Sequence, residues 1–194
     1  MTIFQGSMLE DARAVIARYP TGGERSALMP LLYLAQAVDG QVTPEALVEI
    51  GGLLGITTAE VEAVATFYSM YRLRPTGTHV VNVCTNLACA LRGAKDVYEE
   101  AHRAAGMPHG QEVSDDGLLT LHEEECLGVC DFAPAVQINF ANHDNVSPER
   151  MRELISVLRA GSVPEPARGP AMQSFRHASR ILAGFDDDPA EAAQ

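Results

Sequence analysis

The chain has 194 residues, 46% of them hydrophobic, with a net charge of −12 and a pI near 4.8. That length suits one domain, or one domain with a helical appendage, and such a composition can build a core without cysteine staples. The acidic balance argues against nucleic acid, whose phosphates need a basic surface. No apolar run approaches the roughly 18–20 residues of a membrane span, so direct membrane insertion is not expected.

Residues 1–20 carry Glu10, Asp11, Arg13 and Arg18 and lack the apolar stretch of a signal peptide. A cytoplasmic, reducing location is therefore expected, where clustered cysteines point to metal or redox chemistry more often than to disulfides.

Residues 8–72 read as helices. Ser26 to Val38 places Leu28, Leu31, Leu32 and Ala35 at helical spacing, with Pro30 in the first turn. Thr43-Pro44 supplies an N-cap and a first-turn proline for a helix that buries Leu47, Ile50 and Leu54 and ends at Gly55. Thr57 and Glu60 form a capping-box pattern. The helix that follows is expected to run through Val61, Val64, Ala65, Tyr68 and Tyr71, with Arg72 and Arg74 as a basic last turn before Pro75.

The period then changes. Thr78 to Cys84 is β-rich and continuously apolar, as a buried strand is. Residues 90–105 return to helical spacing. Leu118 to His122 and Ala135 to Phe140 read as strands, and Ser147-Pro148 starts a last helix with Met151, Leu154, Ile155 and Leu158 on one face. Pro134 precedes a strand, and because only about 5% of X–Pro bonds are cis, a trans bond is expected. His122 reads as a strand-edge histidine.

The order is a helical bundle over 1–76, then β-α-β-β-α over 77–163, the element order of a thioredoxin-like unit without a Cys-x-x-Cys redox site. Val163 to Pro170 holds three prolines and reads as a linker. A helical pattern follows over 171–184, before an acidic, tail-like end from Asp186. Residues 164–194 are thus expected to be linker and tail, with the helix either docking on a partner or frayed with the tail.

The only cysteines form two tight pairs, Cys84 with Cys89 and Cys126 with Cys130, in the pattern C-x4-C-x36-C-x3-C. Four thiolates suit one iron–sulfur cluster or one tetrahedral zinc, and spacing alone leaves the two level. A Rieske centre needs two Cys-x-His pairs, and none is present. No Gly-x-Gly-x-x-Gly or Walker pattern offers a nucleotide site. The setting is acidic: residues 77–163 hold 13 acidic and 6 basic side chains. Thr85 and Asn86 can aim N–H groups at sulfur, Cys89 is expected at the mouth of a helix, and Gly128 lets the second loop turn tightly. Neutralising Glu124 and Glu125 is expected to raise a cluster's reduction potential.

The flanks are more specific than the spacing. Val83-Cys84-Thr-Asn-Leu-Ala-Cys89, with Glu124-Glu125-Cys126-Leu-Gly-Val-Cys130-Asp-Phe-Ala-Pro134-Ala-Val-Gln-Ile-Asn139, resembles the NuoE-type subunit of bacterial complex I, the proton-pumping NADH:quinone oxidoreductase. Leu31 to Gln36 and Val64 to Tyr71 extend the likeness to roughly residues 10–160. It departs at Asp131-Phe132, where the family often has other residues, and after Val163.

The resemblance implies an α/β (α+β) chain, an N-terminal helical bundle followed by a thioredoxin-like [2Fe-2S] ferredoxin domain. It implies one [2Fe-2S] cluster, with Cys84 and Cys89 on one iron and Cys126 and Cys130 on the other, and no catalytic residue. The implied role is one-electron exchange with the FMN of the adjacent NADH-binding subunit. The implied partners are that subunit and the large iron–sulfur subunit of a peripheral arm on the cytoplasmic side of the membrane. A diaphorase subunit of a formate dehydrogenase or NAD-reducing hydrogenase fits the same pattern. A zinc-stabilised interaction module is the alternative from another class.

Overall fold

The computed structural model describes residues 2–186. The end from Asp187, expected to be tail-like, lies outside the described residues. The chain divides into two units: one runs to Pro75 and resumes at Arg176, and the other is Thr76–Phe175.

The first unit contains α1 (Gly6–Ile16), α2 (Leu28–Asp39), α3 (Pro44–Leu54), α4 (Thr58–Phe67) and nearly all of α8 (Phe175–Leu182). Local signals set several of these boundaries. Thr43 accepts the Ala46 N–H at 3.2 Å with Pro44 behind it, and Thr57 and Glu60 close a reciprocal capping box. Leu31, Leu32, Leu34, Ile50 and Val61 are buried in a shared core.

Helix α4 stops at Phe67, short of the expected basic last turn. Tyr68 is extended (φ −101°, ψ 117°), and tertiary bonds hold the chain beyond it. The wholly buried Gln36 accepts the Arg72 N–H at 2.7 Å and donates to the Met70 carbonyl at 3.2 Å, while the Tyr71 hydroxyl donates to the Met29 carbonyl at 3.1 Å. The two Gln36 contacts satisfy backbone groups that a longer α4 would have paired internally.

The expected docking helix is part of this bundle. Gln36 Nε2 donates to Ser179 Oγ at 3.1 Å, and Arg180, 2% exposed, reaches Asp11 at 2.9 Å. Arg18 donates to the Ala183 carbonyl at 2.9 Å, and Arg176 Nε to the Ala37 carbonyl at 2.9 Å. A charged side chain is buried to this degree only when paired.

The second unit is a four-stranded sheet of β1 (His79–Cys84), β2 (Leu119–Glu124), β3 (Val136–Ile138) and β4 (Ala141–His143), in the order β2-β1-β3-β4. β1 pairs parallel with β2 and antiparallel with β3, and β3 with β4 forms a hairpin. The hairpin replaces the single expected strand. Asn139 and Phe140 both have positive φ (49° and 70°), the turn geometry that lets a two-residue loop reverse the chain.

The expected helix over 90–105 is two helices, α5 (Leu87–Leu91) and α6 (Ala94–Ala105), parted at Arg92-Gly93. Ser147 caps α7 (Pro148–Arg159), accepting the Arg150 N–H at 3.2 Å. Helices α6 and α7 share a core with the sheet through Val97, Ala101, Leu121, Ile138, Leu154 and Leu158. Buried Glu100 links them, binding Arg152 Nε at 2.7 Å and also Arg103. The Ala133–Pro134 bond is cis, against the expected trans.

Candidate metal centre

Parallel pairing explains how cysteines far apart in sequence meet. β1 and β2 run in register to Cys84↔Glu124, so the loops leaving them emerge side by side. The carboxyl ends of parallel strands are where α/β sheets place their ligand sites. The Thr85 N–H continues the ladder to the Glu124 carbonyl at 3.0 Å, and the Cys84 N–H binds the Ala135 carbonyl at 3.1 Å. Asn86 Nδ2 then ties the first loop to Glu125 Oε2 of the second at 3.0 Å, while its Oδ1 caps α5 at the Leu87 N–H.

Cys84 and Cys89 are each 2% exposed, packed with Ala94, Ala133 and Ala135. Cys84 Sγ donates to the Glu125 carbonyl at 3.2 Å. Cys126 and Cys130 are exposed, with their sulfurs 3.8 Å apart. Cys89 is the third residue of a five-residue helix rather than the mouth of a long one. The backbone dipole sum expected there is correspondingly short.

The four thiols act on one another. Burial pushes the Cys89 thiol up to about 11, opposed by a hydrogen bond from the Ala135 backbone and reinforced by Cys84 and Cys130. Cys130 is raised by its hydrogen bond and repulsion with Cys126, then by burial, Cys84 and Asp131. Ionised sulfurs therefore repel across both pairs, and the nearby Glu123, Glu124, Glu125 and Asp131 add negative charge. This donor set fits a cationic, thiophilic group whose positive charge holds all four as thiolates. Among the described residues, no group of three or more His, Cys, Asp or Glu is arranged to hold a single metal ion. His122 lies on β2 opposite Asn82.

The sequence profile of the thioredoxin-like [2Fe-2S] ferredoxin family matches residues 12–159. The chain belongs to this family. Its cofactor is accordingly a [2Fe-2S] cluster, which decides between the iron and zinc that spacing left level. An NADH-quinone oxidoreductase subunit of Mycobacterium tuberculosis H37Rv is 45% identical over 184 residues, 95% of this chain and 72% of the relative. NADH-quinone oxidoreductase subunit 2 of Thermus thermophilus is 41% identical over 146 residues, 75% of this chain and 80% of the relative. An NAD+-reducing [NiFe]-hydrogenase in the H2-reduced state superposes with a TM-score of 0.58 at 22% identity, over 69% of this chain and 22% of that one. That likeness speaks to the thioredoxin-like ferredoxin fold alone. Among the described residues, no helix is long and apolar enough to cross a membrane.

The four cysteines come together, but Thr85, against expectation, does not aim its N–H at sulfur: the ladder bond to the Glu124 carbonyl takes it, and other backbone groups surround the buried pair. The Glu125 carbonyl accepts from Cys84 Sγ and the Ala135 backbone bonds to Cys89, while the Ala135 carbonyl accepts the Cys84 N–H. Main-chain groups carry no residue-type signal, so only the fold reveals them.

Proposed function

We propose that the chain is the [2Fe-2S] electron-transfer subunit of a proton-pumping NADH:quinone oxidoreductase, not catalytic alone. In this reading it exchanges one electron with the FMN of the adjacent NADH-binding subunit. It sits with that subunit and the large iron–sulfur subunit in a peripheral arm on the cytoplasmic side of the membrane. The observation that carries the reading is the convergence of both cysteine pairs at the carboxyl end of β1 and β2, in a chain of this family. The 45% identity to an NADH-quinone oxidoreductase subunit over most of the chain favours this assembly over a formate dehydrogenase or hydrogenase.

Cys84 and Cys89 hold the buried side of the cluster, and Cys126 and Cys130 the exposed side. A bound [2Fe-2S] cluster supplies a one-electron redox site. To ligate, Cys84 gives up the proton it shares with the Glu125 carbonyl. The alanine-rich packing around Cys84 and Cys89 keeps water from the buried side. The exposed loop leaves the other side open to a partner, and electron transfer needs close approach there.

Anaerobic purification is the test. The protein should be reddish-brown, with iron and sulfide in equal amounts and an EPR signal on reduction, and Cys84→Ala or Cys126→Ala should remove both iron and signal. Retained iron in either variant would reject the ligand set. A colourless protein holding one zinc would favour an interaction module. Co-purification with a molybdenum or nickel–iron subunit would move it to the other assemblies.

A further inference from the structure

Residues 163–175 have the composition of a linker, yet they are fastened along the outer edge of the sheet. The Ala167 N–H donates to the Asn142 carbonyl of β4 at 2.8 Å. Buried Asn139 donates from Nδ2 to the Met172 carbonyl at 3.1 Å, and Phe175 stacks on Phe140 with centroids 5.2 Å apart. The strap thereby covers an edge strand that would otherwise offer unpaired backbone groups.

Within this strap Arg168 makes two contacts of a different kind. Its two terminal nitrogens bind the two oxygens of Asp144 at 2.7 and 3.0 Å, and its guanidinium lies 5.1 Å above the Phe132 ring. Asp144 is itself only 13% exposed, so the fork has a fixed seat. Phe132 closes the short turn Cys130–Phe132: its N–H donates to the Val129 carbonyl at 3.0 Å and its carbonyl accepts the Asn145 N–H at 2.8 Å. The loop before it is tied at its start, where Glu125 meets Asn86 and Cys84, and Leu127 and Val129 lean on the cysteine core, but its end at Cys130 is held through Phe132. Cys126, Gly128 and Cys130 are exposed, and Leu127 and Val129 are only partly buried.

We propose that Arg168 is a positioning residue for the Cys130 side of the cluster site, acting through Phe132. The Asp144–Arg168–Phe132 clamp fixes the end of the exposed loop, and with it the direction in which Cys130 presents its sulfur. Arginine suits this place because one planar group satisfies a carboxylate at its edge and an aromatic ring at its face, which lysine cannot do. The inference rests on the cysteine assignment proposed above.

The test uses the full chain with its cluster, comparing the parent with Arg168→Lys, Phe132→Ala, Phe132→Tyr and the Arg168→Lys/Phe132→Ala double variant. Iron content, the EPR spectrum of the reduced protein and the rate of bleaching under an iron chelator are read for each. Amide hydrogen exchange at Phe132 and Asn145 is read on the cluster-free protein. Arg168→Lys and Phe132→Ala should bleach about threefold to tenfold faster, with shifted g-values and faster exchange at both amides. Phe132→Tyr should behave as the parent, and the double variant no worse than either single. Parent-like bleaching, spectrum and exchange in Arg168→Lys would overturn the clamp, and so would multiplying effects in the double variant. A parent without iron would overturn the cysteine assignment instead, leaving the exchange rates to decide the clamp.

Discussion

The two cysteine pairs have similar spacing and opposite surroundings. Cys84 and Cys89 stand on a strand end and a helix, buried among alanines and bonded to the Ala135 and Glu125 backbone. Cys126 and Cys130 stand on an exposed loop whose neighbours are acidic or only half-buried. Core packing fixes the first pair before any metal arrives, because the same residues close the fold. The second pair depends on what is fastened to its loop. One side of the site is therefore a matter of folding and the other a matter of local restraint.

Charge placement separates the pairs most sharply. In the cluster-free protein, Cys84→Asp or Cys89→Asp would bury a carboxylate among apolar groups and should cost roughly 3 kcal/mol or more. Cys126→Asp or Cys130→Asp should change stability by no more than about 0.5 kcal/mol, since the new charge meets water. Urea unfolding measures both, and equal losses at all four positions would erase the distinction.

Acid should strain the protein from behind the exposed loop. Burial, with Arg150 adding repulsion and Asp144 partly opposing it, holds His143 on β4 down to about 4, against an ordinary 6.5. Below the ordinary value the unfolded chain binds a proton that the folded one refuses. Stability therefore falls as pH drops from about 6.5 toward 4, by about 2–3 kcal/mol from this group. His79 and His102 are lowered chiefly by burial and act in the same direction. Unfolding midpoints between pH 7 and 4 should show the slope, and His143→Gln should flatten part of it. Hydrogen exchange at Asn145 should rise before exchange in β1 does, because His143 adjoins the Asp144 seat of the clamp.

Features set by neighbours in sequence could be read in advance. Thr43-Pro44, Thr57 with Glu60, and Ser147-Pro148 announce helix starts through capping geometry a few residues long. The α/β class and the four cysteines were equally open to reading. What escaped depends on distant partners. Gln36 captures the chain after Phe67 and ends α4 early, and Asp11 gives Arg180 a buried place. Strand β4 is three residues long, too short for an alternating pattern to register. Phe132 and the segment after Val163 were the two departures from the resembled pattern, and the structure brings them together at Arg168. Contacts between positions 36 residues apart leave no periodic trace in a single sequence.

A loss smaller than those at Cys84, Cys89 or His143 is expected at Gly128, where it tests whether the exposed loop is held at all. Gly128 has φ 75°, and a Cβ there would meet nothing within 4 Å. Gly77→Ala, by contrast, would drive a Cβ to 2.8 Å from the Leu118 and Leu119 backbone, so packing decides that cost. At Gly128 only the left-handed backbone resists the change, at about 1 kcal/mol. That cost appears in cluster-free unfolding only if the loop is restrained without the metal, as the Arg168–Phe132 clamp requires. Urea unfolding of cluster-free Gly128→Ala should therefore show a loss of about 1 kcal/mol, and the Arg168→Lys background should reduce it, because a released loop relaxes its backbone. An equal loss in both backgrounds would mean that the loop is held by its own turn, and the difference between the two cysteine pairs would then be one of exposure alone.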